Sequence, residues 1–317
     1  MTDLNAYRAR VGEWLAANTE PRAEARRGDP LGLGREFTPD VLAAERALQR
    51  KLHEAGYAGI TVPEEYGGQG LTPAHQQVFG EEARPYVLPD FGLMGHVCFD
   101  VCIPTMLAHA SPEFLARRIP AILSGDDLYA EYFSEPDAGS DLAGVRTRAV
   151  RRDDGTWLLS GSKTWTSGGH YADYGMCLAR TDWDQPKHRG LTWFAVPATA
   201  PGVTVRRIKQ ITGDADFCEE FFDDVVLTDD DVIGTVGEGW KVTQTMLFYE
   251  RAAAPAVRSG PATSPGQPAG AAARWPRTWS GSPPKPGVTP TRRSGTSSPG
   301  PTSTTWPGPP SGPAWAS

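Results

Sequence analysis

The chain has 317 residues, enough for two domains or one large one. Its 31 Lys and Arg against 38 Asp and Glu give a net charge of −7, split as −13 over residues 1–257 and +6 over residues 258–317. An acidic body gives no electrostatic reason to bind nucleic acid or an anionic membrane. No apolar run is long enough to span a bilayer, and the opening MTDLNAYRARVGEWL lacks the basic-then-apolar order of a signal peptide. Cys98, Cys102, Cys177 and Cys218 show no metal-ligand spacing, and the one-turn separation of Cys98 and Cys102 reads as packing. A soluble protein in a reducing, cytoplasmic setting is expected, with no metal.

Residues 1–127 read as helices. Leu4, Tyr7, Val11 and Leu15 recur at spacings of three and four. Thr38-Pro39 is a cap followed by a first-turn proline, and Val41, Ala44, Leu48, Leu52 and Ala55 form an apolar stripe that ends at Gly56. Ser111-Pro112 opens another helix in the same way, with Ile119, Ile122 and Leu123 on one face and Gly125 closing it. Residues 60–70, ITVPEEYGGQG, are a loop, because their glycines and proline break any period.

Residues 128–234 change period. Val145, Thr147, Ala149 and Arg151 alternate with more polar positions, Asp154-Gly155 is a hairpin signal, and Trp157 to Leu159 return. Tyr174–Ala179, Leu191–Val196, Val203–Ile208 and Glu219–Leu227 are further strands. Short strands at regular spacing point to a compact antiparallel barrel or sandwich.

Helical character resumes at Gly239-Trp240, with Val242, Thr245 or Met246, and Tyr249 on one face. It stops near Arg258. Residues 258–317 contain 14 Pro, 9 Gly, 10 Ser and 8 Thr, with one Val as their only β-branched aliphatic residue. Such a segment cannot bury enough apolar surface to offset its ordering entropy and is expected to be disordered. Its arginines, prolines and four tryptophans, with no acid, have the composition of a GC-rich gene read out of frame. The expected class is α+β and multidomain: a helical domain over 1–127, a β domain over 128–236, the first helix of a helical bundle over 237–257, and the tail.

Two clusters carry the chemistry. In Ser134-Glu-Pro-x-x-Gly-Ser-Asp141 a strand ends, Pro136 breaks it, and Gly139 permits tight curvature beside Ser140. Unpaired amides at such a turn suit carbonyl or phosphate oxygens, although composition alone equally describes an ordinary turn. In Lys163-Thr-Trp-Thr-Ser167, Trp165 offers a flat apolar face beside the hydroxyls of Thr166 and Ser167, which suits a heteroaromatic ring with one polar rim. Taken without context, Trp165 is equally a core residue.

These clusters resemble the middle domain of the acyl-CoA dehydrogenase family. Val62-Pro-Glu-Glu-Tyr-Gly-Gly-Gln-Gly70 with Glu81-Glu82, Phe221-Phe-Asp-Asp-Val-Val226, Ile233-Gly234, and Gly237-Glu-Gly-Trp240 through Glu250-Arg251 extend the resemblance, in order, over residues 1–255. The resemblance implies that Glu131, Phe133, Ser134, Gly139 and Ser140 line FAD, with Ser134 toward the pyrimidine side and Ser140 also touching acyl-CoA. It implies that Trp165 packs on the flavin and that Thr166 and Ser167 flank it, Ser167 near N5. Thr166-Ser167 stands where most relatives have Ile-Thr.

The implied reaction is α,β-dehydrogenation of an acyl-CoA thioester: a carboxylate takes the α-proton as hydride leaves the β-carbon for the flavin. Glu250 matches the base of one branch of the family, with Phe248, Tyr249 and Arg251 beside the substrate. In the commoner branch the base lies beyond the matched sequence, and a Glu-Arg pair on a helix is also an ordinary surface feature. The implied electron acceptor is an electron-transfer flavoprotein. The implied assembly is a homotetramer or dimer, doubtful here because most of the expected bundle does not follow. Two alternatives belong to the same scaffold: a non-catalytic remnant, and a flavin oxidase or monooxygenase.

Overall fold

The structure is a computed structural model that describes residues 3–22 and 35–257; the expected disordered tail lies outside the described residues. Helix α1 (Leu4–Asn18) starts where the Asp3 carboxylate accepts the Asn5 amide, and it buries Tyr7, Val11 and Leu15. Helix α2 (Pro39–Glu54) has Thr38 as its cap, accepting the Val41 amide at 3.4 Å, and Gly56 turns out of it at φ +77°. The expected stripe on α2 is only partly the buried one. Leu52 is buried, Ala44 is exposed, and the second buried position is Gln49, whose Nε2 donates to the Leu123 carbonyl at 2.8 Å. A satisfied amide is as good a core residue there as an alkyl chain.

Helix α3 (Pro73–Ala83) packs on α1, where Arg8 bridges Glu81 and Glu82 at 2.6 and 2.5 Å. Helices α4 (Gly92–His96) and α5 (Ile103–His109) are joined by a π-helical stretch, Val97–Cys102. Pro104 has no amide hydrogen to donate one turn back, and the wider turn precedes it. Cys98 and Cys102 are buried in this stretch, and no group of three metal-ligating side chains occurs among the described residues. Helix α6 (Pro112–Ser124) begins at the Ser111 cap, 3.2 Å from the Phe114 amide, and ends at Gly125 with φ +79°. No helix among the described residues is long and apolar enough to cross a membrane.

The second layer is a sheet of eight strands, β1 (Tyr129–Tyr132), β2 (Arg148–Arg151), β3 (Trp157–Ser167), β4 (Tyr174–Arg180), β5 (Leu191–Pro197), β6 (Val203–Ile208), β7 (Phe217–Leu227) and β8 (Val232–Ile233). Their order is β6-β7-β3-β2-β4-β5-β8, with β1 beside β4. The Asp154-Gly155 turn joins β2 to β3, with Gly155 at φ +84°. Most pairings are antiparallel, but β1 runs parallel to β4, and Arg148 of β2 also meets Arg180 of β4 in parallel. Alternation along β4 serves two cores. Met176 and Leu178 join the helical core, while Cys177 and Ala179 join a second core with Tyr132, Trp157, Phe194 and Phe222.

Helix α7 (Gly239–Val257) returns to this body. Val242 and Met246 are buried in the helical core, and the Trp193 indole donates to the Gly239 carbonyl at 3.0 Å and to Thr243 Oγ1 at 3.1 Å.

Candidate cofactor and active site

The two sequence clusters meet. The Thr164 amide donates to the Ser134 carbonyl at 2.9 Å, and Lys163 Nζ donates to the Phe133 carbonyl at 3.0 Å and to Glu135 Oε1 at 2.8 Å. The side chains of Lys163 and Glu135 are buried, so this is an internal ion pair. Glu135 also accepts the Arg146 and Thr147 amides at 2.6 and 3.0 Å. Burial pushes the Glu135 carboxyl upward, but Lys163 and these donors outweigh it and hold the group below the usual carboxylate range. Beyond Glu135 the chain makes a tight turn in which Glu135 and Ala138 exchange backbone bonds of 3.0 and 3.1 Å. Gly139 and Ser140 lie exposed on its rim, and a Cβ at Gly139 would meet nothing within 4 Å.

Trp165 sits in a β-bulge. Thr164 pairs with Glu219 and Thr166 with Cys218, so Trp165 is the extra residue of β3. Its backbone is left-handed, at φ +67°, a conformation that costs a bulky residue energy. The bulge turns the indole out of the sheet: it is 60% exposed and touches Phe217 edge-on at 6.2 Å between centroids. Trp165 is therefore not a core residue.

Thr166 points the other way. It is buried, its hydroxyl donates to Glu220 Oε2 at 2.7 Å, and it approaches the Glu131 carbonyl at 3.5 Å. Its hydroxyl therefore supports the sheet rather than the open face. Ser167 is half-buried and borders a cleft with Arg35, Phe37, Met94 and Tyr171. Phe133 meets Trp193 edge-on at 5.0 Å, and Ser134 is half-buried beside it.

Two carboxyls on separate elements interact. Glu131, on β1, has a buried Oε1 with no hydrogen-bond partner in the protein. Burial first, and then the charge of Glu250, raise its pKa well above the ordinary value. Glu250 therefore lies within electrostatic reach across the gap between β1 and α7. Glu250 is itself exposed, yet the protein around it pushes its pKa up, and Arg251 offsets this only in part. Tyr249 is half-buried against the helical core; Phe248 is 56% exposed, and the Arg251 guanidinium reaches back to the Leu247 carbonyl at 3.4 Å. The sequence reading missed Glu220, which is fully buried on β7 with Oε1 unpartnered. An acid at an inward position of an alternating strand was the available signal.

Residues 2–126 match the acyl-CoA dehydrogenase N-terminal domain, and residues 130–225 match its middle domain. The chain belongs to the acyl-CoA dehydrogenase family. It is 40% identical over 255 residues to acyl-CoA dehydrogenase FadE34 of Mycobacterium tuberculosis, covering 76% of this chain and 35% of that protein. It is 39% identical over 251 residues to acyl-CoA dehydrogenase IpdE1 of the same organism, covering 79% of this chain and 64% of that protein. Among solved structures, the Tcur3481-Tcur3483 steroid acyl-CoA dehydrogenase superposes with a TM-score of 0.61 at 31% identity, over 80% of this chain and 63% of that one. The chain thus spans about a third of one curated relative and under two thirds of the other.

The family is FAD-dependent, and the residues present fit that cofactor. An exposed indole on a strained bulge would offer a ring wall, the half-buried Ser134 and Ser167 would offer hydroxyls on the two braced segments, and Gly139 leaves room at the rim.

Proposed function

We propose that this chain is an acyl-CoA dehydrogenase-type flavoprotein that removes hydrogen from the α and β carbons of an acyl-CoA thioester. The observation that carries the reading is the bulge that turns Trp165 outward at φ +67° on the strand cross-braced to Glu131–Ser140. A strained conformation that exposes an apolar ring serves no packing purpose, and a flat cofactor ring gives it one. Trp165, Ser134 and Ser167 would hold the flavin, with Gly139 and Ser140 at its rim. Bound FAD would supply the acceptor for the hydride leaving the β-carbon.

Glu250 is the base in this reading. Its carboxylate takes the α-proton and holds it, and its raised pKa makes it a stronger base than an ordinary surface carboxylate. Phe248, Tyr249 and Arg251 on the same helix border the substrate. An electron-transfer flavoprotein is the proposed electron acceptor, in a cytoplasmic setting where the four buried cysteines stay reduced.

The test is to incubate the purified chain with FAD, remove free cofactor by gel filtration, and add acyl-CoA anaerobically. The reading expects retained flavin absorbance that bleaches with acyl-CoA. Retained flavin that no acyl-CoA bleaches would leave the cofactor assignment standing and remove the dehydrogenase one.

A further inference from the structure

Beneath the Trp165 bulge lies a buried charge cluster that neither the flavin reading nor the base assignment uses. Glu220 of β7 stands opposite Lys163 of β3, and both are fully buried. Lys163 Nζ is committed elsewhere, to Glu135 Oε1 at 2.8 Å and the Phe133 carbonyl at 3.0 Å. Glu220 is left with one donor, the Thr166 hydroxyl at 2.7 Å, and its Oε1 has none. Space around Oε1 is closed: a Cβ on Gly169 would come within 2.6 Å of it. One buried cation thus faces two buried carboxyls and pairs with Glu135.

We propose that Glu220 is a positioning residue whose protonation state sets how firmly the Trp165 bulge holds the flavin, so that FAD binding weakens as Glu220 ionises. The proposal rests on the flavin reading above. Neutral Glu220 suits its dry, donor-poor niche. Ionised Glu220 draws Lys163 toward itself and away from the Phe133 carbonyl and Glu135, which are the bonds that brace the two flavin-lining segments. It also sets a negative charge under the site of an anionic cofactor.

Glu220 is the carboxyl of this cluster that its surroundings shift toward neutrality. Burial raises its pKa to about 7, with the Thr166 bond and Lys163 pulling the other way and Glu219 adding to the rise. From its own strand and its neighbours, Cys218, Cys177 and Tyr132 also feel it, and burial pushes all three upward, out of the neutral range. His170, next to Cys218 at 3.5 Å, is lowered by burial.

The experiment is the FAD dissociation constant of the full chain, by flavin fluorescence, from pH 5.5 to 9, for wild type, Glu220→Gln and Thr166→Val. Wild type should weaken by about fivefold or more through neutrality, and Glu220→Gln should vary by less than about twofold. Thr166→Val removes the bond that lowers the Glu220 pKa, so its midpoint should move to higher pH. Parallel profiles for wild type and Glu220→Gln, with FAD bound, would overturn the role of Glu220 and leave the flavin reading intact. No FAD binding by any variant at any pH would overturn the flavin reading, and this proposal with it. If Glu220→Gln does not fold, the Thr166→Val midpoint decides: an unmoved midpoint overturns the proposal.

Discussion

The Thr166 hydroxyl donates to Glu220 Oε2 at 2.7 Å, while its neighbour Trp165 turns outward at φ +67°. One residue of the bulge is anchored inward so that the next can face out. That division of labour separates stability from function and makes the site testable residue by residue.

Trp165→Gly should cost the fold little and the cofactor much. Glycine adopts positive φ freely, the lost strain offsets the added chain entropy, and the indole is already 60% exposed. Thermal or urea unfolding should place the variant within about 1 kcal/mol of wild type. FAD affinity should fall more than about tenfold, because the ring wall is gone. A variant that lost stability and kept FAD would reverse the assignment and return Trp165 to packing.

Lys163→Met should destabilise the chain by about 3–5 kcal/mol, since it leaves the Glu135 carboxylate buried without its cation. The pH dependence gives a second check. Glu135 in wild type has a depressed pKa, so its contribution is present above the ordinary carboxylate value and is lost as pH falls. In the variant burial dominates, the folded pKa rises, and stability should instead fall as pH increases. Urea unfolding midpoints at pH 4 to 8 would show the change of slope.

Gly175→Ala tests the parallel β1–β4 pairing. Gly175 pairs with Ala130, and a Cβ there would lie 1.9 Å from the buried Tyr132 ring. The ring is fully buried, so a loss of about 2–4 kcal/mol is expected by denaturant unfolding.

How far the site was legible in the sequence depends on whether the signal was local. Thr38, Ser111 and Gly125 announce helix ends because a cap hydroxyl or a left-handed glycine acts within one turn. The strand Val203–Ile208 was readable because a run of β-branched residues bounded by turn residues needs no partner to be recognised. Gln49 was not, since its burial depends on a carbonyl of α6 distant in sequence. Trp165 could be chosen from motif alone, but the outward direction of its side chain is set by the bulge against β7. The missing partner of Glu220 Oε1 and the proximity of Glu131 to Glu250 arise only when separate elements are brought together.

Glu250→Gln should abolish turnover with acyl-CoA while FAD stays bound, since the amide keeps the shape and loses the base. The wild-type rate should rise with pH through the raised Glu250 pKa, because the ionised form is the active one. Burial, and not the charge of Glu131, is what raises Glu250, so Glu131→Gln should leave the acid limb of the rate profile where it is.

If the outward face of the Trp165 bulge holds a flavin, the chain should carry it through purification. The most direct measurement is the visible absorbance of the purified 317-residue chain after incubation with FAD and gel filtration, beside the Trp165→Gly variant. Flavin bands that co-elute with wild type and are lost from the variant are the expected result. A colourless wild-type protein, folded by circular dichroism, would contradict it.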